Sequence, residues 1–210
     1  MSKLTYARTM STTFKDLKTA KTALRQEMRK KIATLIQEDK VAQSKAVTEK
    51  ILKSDAYSRA VSLSIYLHMD DEIKTLDILK HSFEKGKTIY IPRYFMGGNH
   101  MEMVRLYDMK DYENLPVTKW NIKQPKDDEQ RPEALDVKSL DLILVPGMAF
   151  TSSGFRLGRG KGYYDAYLAK AKSLGLKPKT IALAFNEQVL TEIPTDNHDM
   201  SIDEVIYPLS

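Results

Sequence analysis

The 210-residue chain contains no cysteine, and this absence removes several classes of protein at once. Disulfide scaffolds, thiolate nucleophiles, cysteine-based zinc sites and iron–sulfur clusters all require that side chain. A chain without cysteine is compatible with a reducing compartment, and we expect a cytoplasmic protein. No apolar run approaches the roughly 20 residues that a membrane-spanning helix needs, so we expect no membrane partner.

Common catalytic signatures are missing as well. The chain has neither a GxSxG nor an HExxH motif, and no nucleophile has a recognisable base. The first 15 residues contain no acidic residue and several hydroxyl residues, as organelle-targeting peptides do, but their only arginine is Arg8. We interpret residues 1–15 as a disordered extension, with mitochondrial targeting as the weaker alternative.

The composition is that of a folded domain with a solvated surface. Hydrophobic residues make up 42% of the chain and charged residues 29%, which suits a single catalytic α/β domain over residues 16–210. The formal net charge of +5 fits an anionic ligand, either a small phosphate compound or a nucleic acid. Lysines on solvated helix faces explain the same charge equally well.

Helical and strand patterns alternate along the chain. Apolar spacing of three and four predicts helices over residues 16–38, 39–54, 75–85 and 163–174. Alternating or continuous apolar runs predict strands over residues 61–67, 88–91, 101–106, 142–145, 180–185 and 204–207, with Pro92 ending the second. Residues 108–139 show no period and are expected to be irregular. The pattern predicts a three-layer α/β/α sandwich with a mostly parallel central sheet.

The most informative stretch is LILVPGMAFTSSGFRLGRGKGYYDAYL at residues 142–168. A buried strand leads into a glycine-rich loop and then into a helix, and ligands of open α/β sheets bind at the carboxyl ends of strands. Glycines allow backbone N–H groups to approach phosphate oxygens, and a helix N-terminus attracts anions. Arg156, Arg159 and Lys161 add positive charge there.

The loop fits neither of two familiar phosphate-binding patterns. Gly162 stands where the P-loop requires a hydroxyl residue, and the spacing after Gly158 and Gly160 does not match GxGxxG. A phosphate site of another kind is favoured, and a solvated basic loop that contacts nucleic acid is the alternative.

Acidic residues at two places in the chain could hold Mg²⁺ beside a phosphate chain. Asp165 opens the helix after the loop, where the helix dipole alone also favours an acid. Asp196 and Asp199 follow the strand at 180–185 and would join Asp165 if that strand neighbours the one at 142–145, although a polar turn explains them too. Trp120 either stacks on a flat ligand or anchors a loop.

Taken together, these motifs resemble the 5-formyltetrahydrofolate cyclo-ligase family, in particular its animal members. VPGMAF followed by GFRLGRGKGYYDAYL is the most specific feature. The motifs SIYLHMDDEIKT, WNIKQP and DNHDMSIDEVIY also occur, and all of them stand along the chain in the same order as in the family. The resemblance runs from about Lys21 to Tyr207 and agrees with the α/β sandwich.

The resemblance implies roles for individual residues, and it favours a ligand role where local patterns left the choice open. ATP contacts are implied at Lys21, Thr22, Ala23, Leu24, Arg25, Arg156, Leu157, Gly158, Arg159, Gly160, Lys161, Gly162, Tyr163 and Tyr164. Folate contacts are implied at Arg25, Leu67, Glu72, Trp120, Arg159, Gly160, Lys161, Gly162 and Tyr163. Catalytic roles are implied for Arg159, Lys161 and Tyr163, and Mg²⁺ ligation for Asp165 and Asp199.

The implied reaction is the ATP-dependent closure of 5-formyltetrahydrofolate, with one or more glutamates, to 5,10-methenyltetrahydrofolate. ATP serves as co-substrate and Mg²⁺ as cofactor, and we expect a monomer that binds no nucleic acid. Two rivals remain at this point. An RNA-binding module would use aromatic residues among the basic ones, for which Tyr163 and Tyr164 are the loop's candidates. A kinase or a relative of the CoA transferases would share the fold alone.

Overall fold

The computed structural model describes residues 14–118 and 121–210. The helices of these residues are α1 (Phe14–Ala33), α2 (Gln37–Lys53), α3 (Asp55–Arg59), α4 (Leu76–Glu84), α5 (Met109–Asn114) and α6 (Tyr163–Ser173). The strands are β1 (Ser62–Ser64), β2 (Thr88–Tyr94), β3 (Met101–Leu106), β4 (Leu142–Val145), β5 (Ala149–Thr151), β6 (Arg156–Leu157), β7 (Lys179–Leu183), β8 (Val189–Leu190) and β9 (Glu204–Ile206). The predicted N-terminal extension, apart from its last two residues, lies outside the described residues.

Six strands form the central sheet in the order β3-β2-β1-β4-β7-β9. Every neighbouring pair is parallel except β2 with β3, which is antiparallel. The predicted α/β class with a mostly parallel sheet is therefore confirmed. β7 pairs directly with β4, which is the arrangement that would bring Asp199 and Asp165 to the same edge of the sheet.

Two apolar cores cover the two faces of this sheet. The first includes Met28 of α1, Ile51 of α2 and Leu144 of β4, and the second includes Val145 of β4 and Leu168 of α6. Leu144 and Val145 are sequence neighbours but belong to different cores, because successive side chains of a strand point to opposite faces. The continuous apolar run of β4 thus reflects a strand buried on both sides.

A second, three-stranded sheet of order β6-β5-β8 lies directly after β4 in the chain. β5 pairs antiparallel with β6 and parallel with β8. These strands were not predicted, because runs of two or three residues carry no detectable period. Because β5 pairs with β8, this sheet joins the segment that leads into the glycine-rich loop to the segment that follows β7.

Several predicted boundaries were wrong, and each has a local cause. α1 ends at Ala33 instead of residue 38, and the Thr34 hydroxyl donates to the Lys31 carbonyl at 2.7 Å, a bond that competes with helix continuation. α2 then begins at Gln37, and the short helix α3 follows it without having been predicted. The first strand, predicted over 61–67, is restricted to β1.

β2 continues through Pro92 to Tyr94, although Pro92 was expected to end it. The Ile65 N–H donates to the Tyr90 carbonyl at 2.9 Å, so the backbone polar groups of Tyr90 point toward β1. The backbone of Pro92, two residues further along the strand, points to the same side. It lies beyond Ser64 and Tyr90, the last residue pair that joins β1 to β2. Its missing N–H therefore leaves no ladder bond unmade.

The long segment at residues 108–139 contains helix α5 and is otherwise irregular, as predicted apart from that helix. Arg131, only 5% exposed, holds it by donating to both oxygens of Asp111 at 2.6 and 2.7 Å. The Ala134 N–H donates to Met103 of β3 at 2.9 Å. The segment thus covers the edge strand of the sheet.

None of the helices in the described part of the chain is long and apolar enough to span a membrane.

Candidate active site

A cavity of about 400 Å³ opens at the carboxyl ends of β1 and β4. Pro146 and Gly147, which follow β4, form part of its wall, as do Tyr66 and Leu67 beyond β1. The predicted site residues that line it are Arg25, Leu67, Glu72, Arg156, Leu157, Gly158, Arg159, Gly160, Lys161, Gly162, Tyr163, Tyr164, Asp165 and Asp199. Most of the predicted site is therefore brought together in one place.

The glycine-rich loop ends in the N-terminus of α6. Gly162 is the N-cap with a φ of 70°, a left-handed conformation that glycine adopts without strain, and no side chain of the described residues caps the helix. The first N–H groups of α6 therefore remain available for an anion at the cavity. Arg25 of α1 steadies the loop by donating from Nε to the Gly158 carbonyl at 2.8 Å.

Lys161 is exposed at the lip of the cavity and forms no ion pair or hydrogen bond with any residue in the described ranges. Its neighbour Tyr163 is held on two sides. The Tyr163 hydroxyl donates to the Phe95 carbonyl at 3.1 Å, and its ring packs 4.9 Å from that of Tyr94. Tyr164 is buried in the second core. Neither tyrosine stands free as a stacking platform for RNA.

Arg156 is buried and pairs with Asp165 at the base of the cavity. Its side chain is 4% exposed, and Nη2 donates to Asp165 Oδ2 at 2.9 Å. Arg156 Nε is buried and has no hydrogen-bond partner among the described residues. A buried polar atom of this kind is normally satisfied by a bound polar group or by water, so it marks the base of the cavity as a binding position.

Arg159 contacts two consecutive acidic residues of the loop after β1. Its guanidinium donates to both oxygens of Asp71 at 2.6 and 3.1 Å, and to Glu72 Oε1 at 2.9 and 3.2 Å. Glu72 is buried, and burial raises the pKa of its carboxyl, an effect that Arg159 and the Met69 N–H oppose. Glu72 is thus held in the cavity wall by charge-assisted hydrogen bonds.

The two predicted metal ligands both face the cavity. Asp165 Oδ1 accepts a hydrogen bond at 3.1 Å from the N–H of Met200, the residue next to Asp199, so the two acids lie in contacting segments. Lys21 donates to Asp199 at 2.5 Å and to Asp196 at 2.7 Å. The pKa of Lys21 is raised because these two carboxylates outweigh the opposing effect of burial.

This donor set fits Mg²⁺. The ion commonly uses one or two protein carboxylates together with phosphate oxygens and water, and Asp165 and Asp199 provide two such groups beside the anion-binding helix end. Within residues 14–118 and 121–210, no group of three or more histidine or acidic residues has a metal-binding arrangement.

Four residues predicted to contact ATP do not line the cavity. Lys21 turns its ammonium toward Asp196 and Asp199, and Leu24 packs against the first core. Thr22 and Ala23 border a separate shallow depression on α1. Their contacts with ATP stay predictions. Trp120, the predicted pterin-side residue, lies outside the described residues.

Tyr94 and Ile122 line the cavity but were not predicted as site residues. Tyr94 is the last residue of β2. Because this strand was predicted to end at residue 91, the sequence did not place Tyr94 at the carboxyl end of a strand. Ile122 belongs to the irregular segment, where no periodicity could place it. The only available signal was the general rule that the carboxyl ends of parallel strands converge on the ligand.

Comparison with known proteins agrees with this geometry. A family model described as the 5-formyltetrahydrofolate cyclo-ligase family matches residues 17–208. The chain belongs to this family. The resemblance inferred from the motifs is thereby confirmed, and the fold-only rivals lose their support.

Curated cyclo-ligases are similar to the chain along most of its length. The mouse 5-formyltetrahydrofolate cyclo-ligase is 46% identical over 189 residues, which cover 90% of this chain and 93% of the mouse protein. A probable cyclo-ligase from Caenorhabditis elegans is 38% identical over 91% of this chain and 94% of the worm protein.

Solved structures of the family share the fold. The 5,10-methenyltetrahydrofolate synthetase of Aquifex aeolicus has a TM-score of 0.71 at 25% identity, over 89% of this chain and 88% of its own. The synthetase of Mycoplasma pneumoniae has a TM-score of 0.69 at 18% identity, over 90% of this chain and 98% of its own, and supports the fold alone.

Proposed function

We propose that the chain is an ATP-dependent 5-formyltetrahydrofolate cyclo-ligase that produces 5,10-methenyltetrahydrofolate, ADP and phosphate. The observation that carries this conclusion is the cavity itself, where an uncapped helix N-terminus, Lys161 and two acids suited to Mg²⁺ meet the buried carboxylate of Glu72. One end of the cavity thus suits a phosphate chain and the other a hydrogen-bonding heterocycle.

The reaction consists of two steps. The γ-phosphoryl group of ATP is transferred to the oxygen of the N5-formyl group, and ADP leaves. N10 then attacks the activated formyl carbon and loses its proton, and inorganic phosphate departs with the former formyl oxygen as the ring closes. Phosphoryl transfer depends on alignment and on neutralised oxygens more than on a protein nucleophile, which agrees with the lack of any catalytic triad motif.

Individual residues take their roles from their positions around the cavity. Lys161 and the first N–H groups of α6 bind the transferred phosphoryl group, and Arg159 stabilises its charge as the bond breaks. Glu72 accepts hydrogen bonds from the pterin, on which Trp120 is proposed to stack. Tyr163 closes the side wall against Tyr94. Mg²⁺ bound by Asp165 and Asp199 would neutralise the phosphate oxygens.

Charge around the cavity mouth bears on how the substrate's glutamate tail is bound. Basic side chains around the cavity mouth suit the anionic glutamate tail, in its mono- or polyglutamate form. We also propose that the enzyme acts as a monomer. We place the enzyme in the cytoplasm and propose no nucleic-acid partner, because the loop tyrosines are engaged within the protein.

Stoichiometry tests the proposed reaction. We expect one ADP and one phosphate to form for each 5-formyltetrahydrofolate consumed, and no ADP to form when the folate is omitted. Steady ATP hydrolysis without the folate, or ADP formation without loss of the folate, would contradict the reaction.

Asp199→Asn is expected to raise the Mg²⁺ concentration required for half-maximal activity by about tenfold, because the site loses one charged oxygen ligand. Lys21 retains Asp196 as a partner, so the segment should stay in place. The measurement is a Mg²⁺ titration of the initial rate at fixed ATP. The exposed Asp128, in the irregular segment, provides the matched control Asp128→Asn, which should titrate as wild type. An unchanged titration for Asp199→Asn would argue against Asp199 as a ligand.

A further inference from the structure

The Arg159 guanidinium forms hydrogen bonds with two neighbouring carboxylates, and the two arrangements differ. Asp71 presents both oxygens, Oδ1 to Nη2 at 2.6 Å and Oδ2 to Nη1 at 3.1 Å. Glu72 presents the single oxygen Oε1, to Nη2 at 2.9 Å and to Nε at 3.2 Å. A pair of parallel hydrogen bonds from a guanidinium to two carboxylate oxygens fixes its plane as well as its position. Asp71 is therefore the residue that orients Arg159.

The two acids also differ in where they lie. Glu72 forms part of the cavity wall and its side chain is 7% exposed, whereas Asp71 lies outside the lining and is 32% exposed. Glu72 has a second bond to the Met69 N–H at 2.9 Å. All the side-chain hydrogen bonds that Asp71 makes within the described residues go to Arg159. Asp71 can thus keep its hold on Arg159 while Glu72 faces a ligand.

Two hydrogen bonds cross-link the loop that carries Asp71. The Thr75 hydroxyl donates to the Tyr66 carbonyl at 2.7 Å, and the Tyr66 hydroxyl donates to the Ile73 carbonyl at 3.2 Å. Arg159 lies instead between two glycines of a loop without such cross-links, apart from the bond from Arg25 to Gly158. Asp71 therefore joins the glycine-rich loop to the cross-linked loop after β1, across 88 residues of sequence.

We propose that Asp71 is a positioning residue for the cyclo-ligase reaction: it holds Arg159 in its reactive orientation when the pterin engages Glu72. The proposal rests on the proposed function, since Arg159 and Glu72 take their roles from it. Because Asp71 and Glu72 both bind Arg159, the substrate can bind Glu72 while Asp71 still holds the arginine.

Asp71→Asn is expected to lower kcat by about tenfold, the scale of one charge-assisted hydrogen bond, with KM for both substrates near the wild-type values. Steady-state kinetics on protein with an unchanged melting temperature provides the measurement. Asp70→Asn is the matched control, because Asp70 is the exposed neighbour and has no contact with Arg159, and its kcat should equal that of wild type. An unchanged kcat for Asp71→Asn would overturn the proposal.

A double variant separates positioning from a general structural effect. Lysine cannot form the two parallel hydrogen bonds that arginine forms, so Arg159→Lys already lacks what Asp71 provides. Asp71→Asn should then cause little further loss of kcat in the Arg159→Lys background. If it lowers kcat there by the same factor as in wild type, Asp71 acts independently of Arg159 and the proposal is wrong.

A measurement without substrates keeps this proposal distinct from the proposed function. In ¹⁵N NMR spectra, with the Arg159 Nη–H signals assigned by their loss in Arg159→Lys, we expect slow proton exchange in wild type and Asp70→Asn and faster exchange in Asp71→Asn, because Asp71 accepts from Nη1 and Nη2. If wild type forms no methenyl product, the proposed function fails, and the exchange rates still show whether Asp71 holds Arg159. Equal exchange in all three proteins would refute the hold itself.

Discussion

Lys161→Ala should lower kcat by about 10²-fold, the effect of removing one donor that stabilises a transition state. The Lys161 ammonium lies at the cavity beside the N-terminus of α6 and is engaged in no ion pair with the described residues. It is therefore available to the phosphoryl group, whose charge is spread over its oxygens during transfer. Initial rates at saturating ATP and folate provide the measurement.

Lys172→Ala is the matched control for this prediction. Lys172 lies in the last turn of the same helix, is exposed, and does not border the cavity. Both substitutions remove one positive charge, so a change in net charge alone would affect both rates equally. If Lys161→Ala retains the kcat of wild type, Lys161 has no part in phosphoryl transfer.

Gly154→Ala is expected to destabilise the fold by roughly 3 kcal/mol or more, from steric overlap and backbone strain together. Gly154 has a φ of +94°, and a Cβ there would overlap the carbonyl oxygen of Ile202. The Ile202 N–H donates to the Gly154 carbonyl at 2.8 Å, so neither backbone can withdraw without breaking this bond. Thermal unfolding should show a melting temperature lower by about 10 °C.

Gly175→Ala separates the two causes of that loss. Gly175 has a similar φ of +76°, but a Cβ there would meet no atom of the described residues within 4 Å. Its substitution should therefore cost only the backbone strain, about 1 kcal/mol. Equal melting temperatures for the two variants would mean that the close approach of Gly154 to Ile202 does not matter for stability.

The sequence predicted the parts of the fold that have a long, regular pattern. The apolar runs of β4 and β7 indicated buried parallel strands, and the two strands are indeed neighbours. This adjacency is what joins Asp165 and Asp199 at one cavity, as the carboxyl-end rule for parallel sheets led us to expect. The position of the glycine-rich loop followed from the same rule.

Features that depend on tertiary contacts could not be predicted in this way. No pattern in the sequence reveals that Arg159 reaches Asp71, or that Lys21 pairs with both Asp196 and Asp199. These pairings join residues far apart in sequence, and charged residues alone do not indicate their partners. Pro92 was misleading for a related reason, since its effect depends on whether a neighbouring strand needs its N–H at that point.

The most direct test of the account is the near-ultraviolet absorbance of the methenyl product. Purified protein is mixed with 5-formyltetrahydrofolate, ATP and Mg²⁺, and parallel samples lack one component each. We predict a rise in absorbance that requires all three components and is slowed about 10²-fold in Lys161→Ala. Folded wild-type protein that gives no rise would contradict the central claim, and would mean that this cavity serves another ligand.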